Sequence, residues 1–145
     1  MNWKTEAKEK LRRYSAMKNA LVTIPQEIER LEVEGQSIRS SRTDGTPVRG
    51  GGSGREEAML NNIVHRQELT WALQQAQMWK QVTDQALSVL NESDQLILRL
   101  LYIYPEKGSL SRLCKELGCG KSSIYRRRDE AMYKFTIALY GAIET

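Results

Sequence analysis

Lys121, Ser122, Ser123, Tyr125 and Arg126 fall in the opening turns of a segment that follows Gly118-Cys119-Gly120, with Arg127 and Arg128 directly behind them. Cationic and hydroxyl groups gathered at a helix start suit hydrogen bonding to base edges and phosphate oxygens of duplex DNA. In that chemistry the first five would read a groove. Arg112, Lys115, Arg127 and Arg128 would hold phosphates. The same residues admit plainer roles: the arginines can be a solvated face, Arg127 can pair with Asp94 or Glu130, and Tyr125 can be a packing residue.

Catalytic arrangements are harder to assemble. Gly120-Lys121-Ser122 is a GKS triplet, but the first glycine of a phosphate-binding loop would fall at Lys115, and a helix precedes the triplet where a strand is required. The glycine run at Gly50 to Gly54 lacks a flanking strand and a lysine. His65 is the only histidine, so neither a triad nor a metal site can be built. Cys114 and Cys119 are too few for a disulfide framework or a four-ligand zinc site, and are expected to be small buried thiols. We expect a protein that is not an enzyme and needs no cofactor or metal.

The elements that must position this cluster read as helical throughout. Asn91-Glu92-Ser93-Asp94 starts a helix carrying Leu96, Ile97, Leu100, Leu101 and Ile103, which ends at Pro105, Lys107 and Gly108. Ser109 can cap the next helix, with Leu110, Leu113, Cys114 and Leu117. Gly118 can take the positive φ that reverses the chain. A last helix then runs from Lys121 with Ile124, Ala131, Phe135 and Leu139 facing inward. Two helices joined through such a turn form a helix-turn-helix, whose second helix enters the major groove. Leu113, Leu117, Cys119 and Ile124 would fix the angle between them.

Upstream, residues 2–34 carry apolar positions at Tyr14, Met17, Leu21, Ile24, Ile28 and Leu31, a heptad seam that Lys10 interrupts. Pro25 predicts a kink or break, with Thr23 and Gln26 as a capping box. Residues 35–54, dense in Gly, Ser and Thr, read as a flexible linker. Its Arg39, Arg42 and Arg49, with Arg55 just beyond, are either solvated or in contact with phosphates. Residues 55–90 form a long central helix with a broad apolar stripe through Ile63, Val64, Trp71, Leu73 and Met78. This helix can return antiparallel to the first or pair with another chain. Residues 91–145 are the predicted DNA-binding domain.

The run LSRLCKELGCGKSSIYRRRDEAMYKF resembles sigma factor region 4 and related helix-turn-helix modules, through Leu117, Gly118, Ile124, Tyr125, Arg126 and Ala131. The layout of charged helix, Gly-rich linker, second helix and C-terminal module is similar to bacteriophage regulators of the ArpU and RinA type. One departure is Gly120, where a Ser or Thr N-cap is usual, at a cost of only a few tenths of a kcal/mol. The resemblance implies control of phage late or packaging genes, or of an adjacent host-lysis function.

The 145 residues carry a formal net charge of +4, compatible with nucleic acid without requiring it. The N-terminus has charge and no apolar core, unlike a secretory signal, and no apolar run approaches the roughly 18–20 residues of a membrane span. The expectation is an all-α protein with long, coiled-coil-like N-terminal helices, acting on double-stranded DNA in the cytoplasm of a bacterial host. A homo-oligomer, favoured as a dimer, would place two recognition helices on neighbouring half-sites. The alternatives are a small terminase-like packaging subunit and a sigma-like module that mainly binds RNA polymerase.

Overall fold

The computed structural model describes residues 1–40 and 51–144, with side chains of 51–53 left aside. It is all-helical, and no strand forms among the described residues. We number the elements α1 (Trp3–Arg12), α2 (Tyr14–Ser40), α3 (Gly51–Ser88), α4 (Glu92–Leu98), a π-helical turn (Arg99–Ile103), α5 (Ser109–Leu117) and α6 (Lys121–Tyr140). No helix among them is long and apolar enough to cross a membrane. Residues divide into two compact units, Met1–Lys18 with Met78–Thr145, and Asn19–Gln77. This division differs from the sequence boundaries 1–34, 35–54, 55–90 and 91–145, because α1 packs with the C-terminal helices.

In the first unit, Leu11, Leu98, Met132 and Phe135 are sealed from solvent together with Ala7 and Ala131. Burial of this many large apolar side chains is the main term stabilising a small helical unit. Its two chain ends are tied: Asn2 caps α1 by accepting from the Lys4 and Thr5 amides, and the Trp3 N–H donates to the Ile143 carbonyl at 2.9 Å. The Trp3 ring lies 4.7 Å from that of Tyr140.

The N-terminal segment breaks at Arg13, not at Pro25. Arg13 adopts φ −85° and ψ −5° between α1 and α2, whereas Pro25 sits inside continuous α2. Proline removes one backbone hydrogen bond, and here it does so on an exposed face while Ile24 and Ile28 stay half-buried beside it. No helix start forms at Thr23. The irregular Lys10 also gains a reason: its ammonium lies 3.9 Å from the centroid of the Trp79 ring, a cation–π contact, while Leu11 enters the core. Close by, the Tyr14 hydroxyl donates to Asp84 at 2.6 Å, and the Lys80 ammonium binds the same carboxylate at 2.8 Å.

In the second unit, α2 and α3 run antiparallel within the chain. Asn62 Nδ2 donates to the Leu31 carbonyl at 2.8 Å, and Arg66 Nε donates to Asn62 Oδ1 at 2.9 Å. Helix extends beyond Glu34 to Ser40 and resumes at Gly51, so both ends of the predicted linker are helical; 41–50, with Arg42 and Arg49, lie outside the described residues. Gly35 is helical for a packing reason: a Cβ there would stand 3.0 Å from Asn62 Oδ1. Arg55, a candidate phosphate contact by sequence, instead donates to the carbonyls of Ile38 and Arg39 at the end of α2.

Candidate nucleic-acid interface

Three elements build the C-terminal site. Asn91 caps α4 by accepting from the Asp94 amide, as its position suggested. Beyond Leu98 the helix widens into a π turn closed by the Tyr104 N–H on the Arg99 carbonyl, a feature absent from the sequence reading. Here the side chains part: Leu98 and Ile103 join the larger core, while Ile97 and Leu100 meet Leu113 and Ile124. This second cluster, flanked by half-buried Leu117, Cys114 and Cys119, fixes α5 against α6. Both cysteines are free and half-buried, not fully buried.

Ser109 is not the α5 cap. Gly108, at φ +90°, takes that position, and Ser109 Oγ accepts from the Glu106 N–H at 3.0 Å, tying the loop to the helix. Gly118 is left-handed at φ +65°, and its N–H and that of Cys119 both converge on the Cys114 carbonyl. A Cβ at Gly118 would meet nothing within 4 Å, so it is the backbone conformation that asks for glycine. Gly120 is extended and begins α6 with no side-chain cap. The first amides of this helix are therefore not satisfied by a capping side chain, which leaves its positive dipole end available to an anion.

α6 turns Ile124, Ala131 and Phe135 inward, and the predicted site residues divide accordingly. Lys121, Ser122, Tyr125, Arg126 and Arg127 are exposed, and Ser123 is half-buried. No ion pair engages Lys115, Lys121, Arg126 or Arg127 among the described residues. Arg127 meets neither Asp94 nor Glu130; Asp94 is taken by Lys134 at 3.2 Å. Arg112 is exposed but pairs with Glu116 at 3.0 Å. Arg128 stands apart. Its guanidinium binds Asp129, lies 5.0 Å from the Tyr125 ring centroid, and faces Tyr102, whose phenol is pushed up by burial and eased back by the Arg128 charge. Arg128, expected from the sequence to hold a phosphate, thus lies beside Tyr125 with its charge shared with Asp129.

Two members of this surface were missed in the sequence. Tyr133, 54% exposed, shares the face of Arg126, and helical spacing could have placed it there. Lys4 reaches the same face from α1, a long-range neighbour that no local pattern shows. With Tyr125, Arg126, Asp129 and Glu130 they line an open groove of about 710 Å³. Between Glu116 and Asp129 the chain carries Lys121, Arg126, Arg127 and Arg128 and no acid. Within α6 the acid-free cationic run is therefore confined to the opening turns, and mixed charge follows. No known protein family, curated protein or solved structure matches the chain.

Proposed function

We infer that α5, its turn and α6 form a helix-turn-helix that binds double-stranded DNA, and that the chain is a sequence-specific transcription regulator. The observation that carries this reading is the start of α6. An uncapped helix N-terminus is ringed by exposed Lys121, Ser122, Arg126 and Arg127 that have no ion pair among the described residues. Backbone amides and Lys121 would hold a phosphate, while Ser122, Ser123, Tyr125 and Arg126 face base edges. The resemblance to sigma factor region 4 and to phage regulators of the ArpU and RinA type supports the same reading and suggests late-gene control.

Fluorescence anisotropy with duplexes from the protein's own genomic neighbourhood, against a scrambled duplex and across a salt series, tests it. Tight binding to one duplex with a steep salt dependence is expected. Arg126→Ala should lose about 1–3 kcal/mol on that duplex and little on the scrambled one. Equal, weak binding of every duplex would overturn the regulator reading. The mixed-charge groove through Asp129, Glu130 and Tyr133 favours a second reading, contact with RNA polymerase. Retention of polymerase by a variant with Arg126, Arg127 and Arg128 neutralised, alongside lost DNA binding, would support it.

A further inference from the structure

Cys114 and Cys119 stand on either side of Gly118, the left-handed residue that turns the chain between α5 and α6. On an unbroken helix, residues five apart would be separated by about 7.5 Å along the axis and about 140° around it, too divergent to share a bond. The turn folds the second cysteine back. The Cys119 N–H donates to the Cys114 carbonyl at 3.2 Å, the six-to-one closure of a Schellman turn, in which the side chains at those two positions commonly meet. Standard bond lengths added to that 3.2 Å hydrogen bond leave the two Cα atoms at most about 7 Å apart, and less once bond angles bend the path. Disulfides span Cα separations of about 4.4–6.8 Å. Both side chains also pack against the same cluster of Ile97, Leu100, Leu113 and Ile124, so they lie on one side of the turn. Both are free and half-buried, and the chain has no third cysteine to compete for either.

We propose that Cys114 and Cys119 are a reversible redox pair whose disulfide staples the turn between α5 and α6. The oxidant is a low-molecular-weight disulfide of the glutathione class. One cysteine thiolate attacks a sulfur of that disulfide and releases one glutathione thiolate. The other cysteine thiolate then attacks the protein sulfur of the mixed disulfide and releases the second. Two protein thiols are thus oxidised to one S–S bond, one S–S bond of the oxidant is reduced to two thiols, and the two protons pass to the departing thiolates. The closed ring is short, covering only residues 114–119, and it keeps the backbone hydrogen bonds that already define the turn. Oxidation therefore holds α6 at its observed angle to α5 and leaves the exposed residues at the start of α6 uncovered. The pairing does not depend on what α6 binds.

Equilibration of the full chain in glutathione redox buffers, both folded and in concentrated urea, tests the proposal, with free thiols alkylated and the products weighed by mass spectrometry. Because the folded turn already holds the pair together, the equilibrium constant for closure should be at least about tenfold larger in the folded chain, a midpoint about 30 mV more negative. The main oxidised product should be a single chain lacking two hydrogens and carrying no glutathione, in a share independent of protein concentration. Cys114→Ser and Cys119→Ser should each retain a glutathione adduct instead. Folding and closure favour each other by the same factor, so the oxidised chain should unfold at a higher urea concentration than the reduced one. A closure constant no larger in the folded chain than in urea would overturn the proposal. So would a glutathione adduct or a cross-linked pair of chains as the main wild-type product.

Discussion

Phe135, Leu98, Met132 and Leu11 are sealed on all sides in the first unit, whereas in the second the interhelical seam is thin. There the buried positions among the described residues are Leu31, Gly35, Asn62 and Ala76, while Leu60, Val64 and Trp71 remain in water. The contrast follows from geometry. Several helices can surround a side chain, but two can cover only one stripe of each. The second unit relies on a polar device that fixes how its helices meet: Asn62 spans from the Leu31 carbonyl to Arg66, and Gly35 makes room for it. One region seals its core on all sides and packs α6 into it. The other is aligned by a polar device and leaves large apolar side chains in water.

The largest test of that contrast is Phe135→Ala. Emptying a fully buried aromatic site should destabilise the first unit by about 3–5 kcal/mol, read from urea unfolding. A loss below about 1 kcal/mol would mean that this core is not what holds the unit. Asn62→Ala should cost less, about 1–3 kcal/mol, by leaving the buried Leu31 carbonyl and the Arg66 guanidinium short of a partner. Hydrogen exchange locates the effect: amides near 24–38 and 55–73 should exchange faster while those of α6 keep their protection. Equal acceleration in α6 would show that the two units open together and would break the comparison.

The helices of the C-terminal region were legible because their signals are local. Asn91 caps, Gly118 reverses the chain, and Ile124, Ala131 and Phe135 recur at helical spacing. What was not legible depended on partners distant in sequence. Pro25 is a strong local breaker, yet α2 passes through it, because tertiary packing outweighs one lost hydrogen bond on an exposed face. Gly35 looked like linker until Asn62 gave it a reason to be small. Arg55 looked like a free cation before the end of α2 supplied carbonyls for it. At the candidate interface, spacing singled out Lys121 to Arg128, but only the packed structure separates the open Arg126 from Arg128, drawn to Tyr125 and Asp129.

The smallest expected effect concerns Tyr14, Lys80 and Asp84, where α2 meets α3 in the first unit. Burial pushes the Asp84 carboxyl up, but the Lys80 ammonium and the Tyr14 hydroxyl outweigh it and hold it below the usual aspartate range. Burial and the Asp84 carboxylate together push the Tyr14 phenol up. The signs follow directly. A depressed carboxyl contributes stability above the unfolded value near pH 3.9 and loses it as pH falls through the folded value; a raised phenol contributes below about pH 10 and loses it as pH rises beyond. Because the Asp84 side chain is 42% exposed, solvent screening keeps the contribution to about 1 kcal/mol or less. Asp84→Asn should therefore lower urea stability slightly at pH 7 and converge on wild type toward pH 2–3, while Tyr14→Phe should remove the alkaline dependence and weaken the acid one, since its hydroxyl helps hold the Asp84 carboxyl down. An Asp84→Asn deficit of the same size at pH 7 and pH 2–3 would show that Asp84 acts by packing and not by its charge. The anchoring of α3 beside the first unit's core would then owe nothing to the charge of this trio and rest on packing, with Lys10 over Trp79 and with Leu87.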